Sequence, residues 1–173
     1  MPEKLTGPIA CAVVDGKTTV FYVNSVKFLV SLVNGEDGDK EFVQTTSRMR
    51  ENYTGKALRV DGTDVKSNTK DIAAISYKLP NDGPNAPTKA RIYYIHPDGY
   101  LAELCKNEGP WFKGDLDAKK FPAVPDSPIT ATWSSGSNSI KVVYYRPEKD
   151  TRAPFVAWVD AGGWQTAWIQ IDQ

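Results

Sequence analysis

Histidine, cysteine and net charge are all scarce in this 173-residue sequence, and each scarcity removes a class of function. The single histidine, His96, cannot build a multi-histidine metal site, and the HExxH, GxSxG and P-loop patterns are missing. No metal or cofactor is expected. The acids are spread through turns and strand-like runs, so the sequence gives no sign of a catalytic pair and an enzyme is not expected. The 21 basic residues are matched by 21 acidic ones, which leaves no net field to hold a phosphate backbone or an anionic bilayer. Nucleic acid is therefore not an expected partner. No apolar run approaches the roughly 18 residues of a membrane span, and Met1-Pro2-Glu3-Lys4 does not open a secretory signal. The chain reads as soluble, without membrane insertion, and as cytoplasmic or unconventionally released. Cys11 and Cys105 sit in apolar, strand-like runs without CxxC spacing, which predicts buried reduced thiols rather than a disulfide.

A helical period is missing too: no window of about a dozen residues shows apolar positions at 3.6-residue spacing between caps. What is present is a series of short runs rich in Val, Ile, Tyr, Thr and Phe, separated by clusters such as "NGEDGD", "NDGPNAP", "HPDG" and "SSGSNS". The expected fold is all-β. The runs also repeat. "DIAAISY", "RIYY", "YLAEL" and "GPWFKG" line up with "PITATWS", "VVYY", "FVAWV" and "GGWQTA", and their Tyr-Tyr pairs lie 51 positions apart. A worn first copy reads "PIACAVV", "TVFYV", "KFLVSLV" and "KEFVQT". Four strands per copy is the content of a propeller blade, which predicts three blades at about 8–46, 71–117 and 128–171 within one domain spanning 1–173. A β-sandwich would give similar linear signals. Three blades cannot close a ring, so the simplest complete molecule is a two-fold homodimer with six.

Between Arg91 and Leu104 the second copy reads "RIYYIHPDGYLAEL". His96-Pro97-Asp98-Gly99 suits a type I turn with glycine in the left-handed position of a G1 bulge, closed by His96 and Tyr100. Counting outward sets Ile95 against Leu101, Tyr93 against Glu103 and Arg91 against Cys105. Arg91, Tyr93 and Glu103 then share one face, with Arg91 and Glu103 as diagonal neighbours. Such a pair offers donors on one side and acceptors on the other, which suits a vicinal diol, although a plain cross-strand ion pair has the same signature. Lone His96 falls in the turn and carries no expected chemistry.

The string from Ile72 to Leu116 resembles one repeat of the fungal fucose-specific lectins, a family of six-bladed propellers. The marks are the "IAA" first strand, Arg-aliphatic-Tyr-Tyr on the second, Gly-aliphatic-x-Glu on the third and Gly-x-Trp-aromatic entering the fourth. The resemblance is fair over Ile129 to Ile171 and weak over Pro8 to Thr46, and it covers half of the family's usual six blades. It implies sugar binding in clefts between blades, with Arg91 and Glu103 gripping fucose hydroxyls and fucosylated glycans as partners. Aromatic rings would pack on the apolar side of the sugar. Trp111 and Trp133 are the candidate walls, with Tyr93 and Trp164 behind them, Trp164 at a dimer seam. Aligned on Tyr-Tyr, the arginine position becomes Val142 in the third copy, with Lys141 on the other face, and Thr19 in the first. The glutamate position falls near Trp158. At most one such site per chain is expected. The rival expectation is a degenerate propeller scaffold for protein contacts or self-assembly, without sugar binding.

Overall fold

The computed structural model describes residues 7–34, 53–148 and 151–170. Alternating β-branched and polar residues give β1 (Ile9–Val14), β2 (Lys17–Val23) and β3 (Leu29–Asn34), and β4 (Tyr53–Ala57) completes the first sheet. After a small hairpin of β5 (Arg59–Val60) and β6 (Thr63–Asp64) come β7 (Ala73–Tyr77), β8 (Lys89–Ile95), β9 (Leu101–Lys106) and β10 (Phe112–Lys113). One short helix, α1 (Leu116–Lys119), leads to β11 (Thr130–Ser134), β12 (Ser139–Glu148), β13 (Thr151–Asp160) and β14 (Gly163–Trp168). Each group of four is an antiparallel meander in chain order. Asp15-Gly16, both at positive φ, closes the β1–β2 hairpin as a type I′ turn, which matches the strand twist.

The three sheets stand side by side as successive blades, with β1 beside β7 and β7 beside β11. A sandwich would have two facing sheets and one shared core. Here there are two cores, one per seam. Phe21, Leu29, Ile92, Tyr94 and Leu104 fill the first, between blades one and two. Tyr93, Leu101, Val142, Tyr144 and Phe155 fill the second, between blades two and three. Blade two thus buries one face against blade one and the other against blade three, and the sheets do not close into a ring within the chain.

The connections between blades are built alike. Each pairs first with the third strand of the blade it leaves: Leu29 N–H to Val65 O, and Leu101 N–H to Phe121 O, both at 2.9 Å. Each then reaches the end of the second strand in the next blade, through Asn68 N–H to Ile95 O at 2.7 Å and Val124 N–H to Tyr145 O at 3.0 Å. This places Ile95 and Tyr145 at equivalent positions, and with them Tyr94 and Tyr144, which both face the preceding blade.

Two expectations change. The fourth strand of blade one is Tyr53–Ala57, beyond the end expected for the first repeat, because it is this segment that pairs with β3; "KEFVQT" lies outside the described residues. Cys11 is exposed rather than buried, although both thiols are free. The reason is positional: Ile9, Cys11 and Val13 share the rear face of β1, which no blade among the described residues covers.

Candidate functional site

The hairpin of blade two has the register that its turn demands. Gly99 takes φ +81° and donates to His96 O at 2.8 Å, and His96 N–H donates to Tyr100 O at 2.8 Å. Ile95 pairs with Leu101, Tyr93 with Glu103 and Arg91 with Cys105. Strand alternation then puts Arg91, Tyr93, Glu103 and Cys105 on the face toward blade three.

On that face Arg91 Nε lies 3.6 Å from Glu103 Oε1, and the two side chains are only 13% and 4% exposed. Arg91 Nη1 donates to Ala90 O and to Asn107 Oδ1, each at 2.9 Å, and its guanidinium carbon sits 5.4 Å above the Tyr77 ring. These contacts hold the fork in one plane. Glu103 Oε1 accepts the Tyr93 hydroxyl at 3.1 Å, while its backbone N–H donates to Asp117 Oδ1 at 2.7 Å. Burial pushes the Glu103 carboxyl above its usual range, and Arg91 and the Tyr93 hydrogen bond oppose that without cancelling it. Burial likewise raises the Tyr93 phenol and the Cys105 thiol, with Glu103 adding to both. Both therefore stay neutral and available as donors. Gly114 closes over this group so tightly that any Cβ there would overlap the Glu103 carboxylate and Cys105 Sγ.

The pair opens into a cleft of about 290 Å³ between blades two and three. Blade two supplies Tyr77, Arg91, Glu103, Asn107 and Phe112, and blade three closes the far side with Ile140, Val159 and Trp164. The candidate aromatics distribute unevenly. Trp164 lines the cleft, with its ring centre 6.1 Å from Tyr93, so it borders a seam inside the chain and not one between copies. Tyr93 is fully buried and acts on the cleft through Glu103. Trp133 stands behind the cleft, stacked 4.4 Å from Tyr77, and so supports the ring beneath Arg91. Trp111 points the other way and packs edge-on against Phe21 in the first core, at 5.8 Å. The ring of that segment which enters the cleft is Phe112, 41% exposed and paired with Cys105. Alternation along "PWFK" was the available signal, since adjacent strand residues take opposite faces.

The same logic corrects the third copy. Val142 is fully buried on the face toward blade two, and Lys141, in register with Trp158, takes the place that Arg91 holds opposite Cys105. Val156, paired with Val143, stands where Glu103 pairs with Tyr93. The two Tyr-Tyr pairs are thus one residue out of structural register. In blade one the corresponding residues are Thr19 and Ser31, so the seam with blade two has no counterpart of the Arg91–Glu103 pair.

A row of meander blades with a polar, aromatic-walled cleft at one seam defines a propeller-type binding protein rather than a sandwich. The chain belongs to the fungal fucose-specific lectin family, whose model matches residues 42–168. Among solved structures it is similar to the six-bladed β-propeller lectin of Aleuria aurantia, at 16% identity and a TM-score of 0.63. That match covers 95% of this chain but 49% of the other, so the chain spans about half the length of that lectin. A mutant of the Aleuria lectin in complex with Fucα1-6GlcNAc matches at 15% identity and a TM-score of 0.62, over 95% of this chain and 48% of the other. A fucose lectin from Kordia zhangzhouensis, in complex with methyl-fucoside, is similar at 16% identity and a TM-score of 0.57, over 92% of this chain and 97% of the other. No curated protein matches.

Proposed function

We propose that the chain is a fucose-binding lectin whose site is the cleft between blades two and three. The observation that carries this reading is the buried Arg91–Glu103 pair, held in one geometry and opening into a monosaccharide-sized cleft with Phe112 and Trp164 on its walls. The guanidinium offers only donors and the carboxylate only acceptors, so adjacent sugar hydroxyls satisfy both at once. The apolar side of the pyranose packs on the exposed Phe112 ring. Binding needs no bond rearrangement, and the cleft serves as a recognition site for fucosylated glycans.

The reading extends to the assembly. Half a six-bladed ring leaves two blade faces bare, and a two-fold homodimer covers both by seating blade three of each copy on the rear face of blade one in the other. With one pair of the Arg91–Glu103 kind among the described residues of each chain, that molecule carries two fucose sites, a low valency for cross-linking cells.

Calorimetric titration of L-fucose, with galactose and mannose as controls, tests the site. Saturable, fucose-selective binding near one equivalent per chain is expected, and Glu103→Gln, nearly isosteric, should abolish it while leaving the melting transition in place. A folded wild-type protein that gives no heat at millimolar fucose would overturn the reading and favour a scaffold without sugar binding.

A further inference from the structure

A second cavity, of about 360 Å³, lies on the other side of blade two, between its outer strands and the β5–β6 hairpin. The two cavities share β8 and β10 but use opposite faces: Tyr93 and Phe112 belong to the fucose cleft, and their neighbours Tyr94 and Lys113 to this one. Its walls are tied down by backbone. Val65 N–H donates to Leu58 O at 2.9 Å, and beyond it Ser67 Oγ and Asn68 N–H both reach Ile95 O, at 3.2 and 2.7 Å. Asp61 and Gly62, both at positive φ, form the tight turn that sets the position of the Asp61 carboxylate.

The lining is polar in an ordered way. Blade two contributes Tyr94, His96 and Lys113, and the hairpin side contributes Asp61, Thr63, Lys66 and Asp64, whose carboxylate is held by Arg59 at 2.6 Å. His96 Nδ1 accepts the Asp98 N–H at 3.2 Å, so in its neutral form the ring carries its proton on Nε2 as a donor. Burial lowers the His96 pKa, which keeps that neutral form at neutral pH. Two ammonium groups, a phenol and an imidazole N–H thus face a ligand with donors, while Asp61 and the Thr63 hydroxyl accept. Val60, Val65 and Pro97 give the same cavity an apolar floor.

With Asp64 neutralised by Arg59, the two ammonium groups exceed the Asp61 carboxylate by one charge, which favours a single anionic group, while neutral donors and acceptors favour hydroxyls and the apolar floor favours C–H groups. We infer that this cavity is a second carbohydrate site, independent of the fucose cleft, that takes a carboxylated sugar of the uronic or sialic acid class. The carboxylate lies between Lys66 and Lys113, and the hydroxyls meet Tyr94, His96 and Asp61. A volume of this size holds one sugar residue, and its place across the sheet from the fucose cleft lets both be occupied together.

The test titrates galacturonic acid and N-acetylneuraminic acid, with galactose as the uncharged control, into wild-type protein and into Lys113→Ala and Arg91→Lys. Lys113 is exposed, so its removal should leave folding and fucose binding unchanged. The expected result is saturable binding of an acidic sugar that weakens about tenfold or more in Lys113→Ala and keeps its affinity in Arg91→Lys. Binding lost in Arg91→Lys and kept in Lys113→Ala would assign the acid to the fucose cleft and overturn the inference. So would the absence of any acidic-sugar binding by folded wild-type protein. Neither result bears on fucose, which is titrated separately.

Discussion

At the scale of residues, the decisive fact is that Arg91 and Glu103 are buried together. An exposed pair could be removed at little cost, and that is what a strand-paired Arg and Glu suggest in sequence. In the folded chain, Arg91→Ala leaves a carboxylate 90% or more buried without its cation, a change that costs about 3–5 kcal/mol. Lost sugar binding in that variant would be confounded with lost stability, which is why near-isosteric changes are the informative ones. The raised pKa of Glu103 gives the site a pH dependence of definite sign. Between the ordinary value of 4.5 and the raised folded value, the native state holds more protons than the unfolded one. Stability contributed by this group therefore rises, not falls, as pH drops through that window. Binding goes the other way, because protonation removes the anionic acceptor and half of the ion pair. Fucose affinity should decline on acidification toward the ordinary carboxyl value of 4.5 while the melting temperature holds or increases. Paired calorimetry and thermal melts across that range check it. Affinity and stability falling together would mean that local unfolding, and not Glu103, controls the loss.

At the scale of elements, turn chemistry and alternation made much of the fold readable. Pro97 and Gly99 permit one hairpin geometry, and the register of β8 with β9 follows from it residue by residue. What stayed hidden was the relation between repeats. Each Tyr-Tyr pair puts one ring on each face of a sheet, so a one-residue slip preserves the pattern while exchanging every side chain between seams. Only the connections, which bond to Ile95 and Tyr145, reveal that Tyr94 and not Tyr93 corresponds to Tyr144. The tryptophans were obscured for a related reason. Trp111 and Trp164 both enter a fourth strand and both face the blade before their own, so each walls a seam that belongs to the preceding repeat. Trp164 thereby serves the Arg91–Glu103 cleft, and Trp111 serves the seam where Thr19 and Ser31 replace that pair. Trp164→Ala should remove fucose binding or weaken it by well over tenfold, and Trp111→Ala should leave affinity within about threefold. Both truncations open a partly buried cavity and lower stability by roughly 3 kcal/mol, so melting temperature will not separate them and binding will. Equal losses of binding would show that the cleft depends on general packing of the blades.

At the scale of the whole molecule, the proposed ring rests on the rear face of blade one, which is exposed among the described residues. Ile9 and Val13 are 56% and 37% exposed on either side of Cys11, on the face whose counterparts in blades two and three, Tyr94 and Tyr144 among them, lie in seam cores. In the proposed ring a second copy supplies the neighbour: its blade three presents Thr130, Thr132 and Lys141 on a forward face where they are exposed among the described residues. The proposed pairing is isologous, since each copy gives one rear and one forward face, so two identical seams would close the ring with no blade left over. Light scattering should then give twice the single-chain mass of 19.1 kDa. Charge placed in the seam is the sharper probe. The double change Ile9→Lys and Val13→Lys buries two like charges against a sheet, which a seam does not tolerate and an exposed face does. In the ring the variant should fall to a single-chain mass, and Cys11, shielded in wild type, should become reactive to a water-soluble alkylating agent. Fucose affinity should persist in that monomer, because both walls of the cleft come from one chain. A wild-type mass of one chain, with Cys11 already reactive, would rule the ring out, and the single intact seam between blades two and three would then be the complete fucose-binding unit.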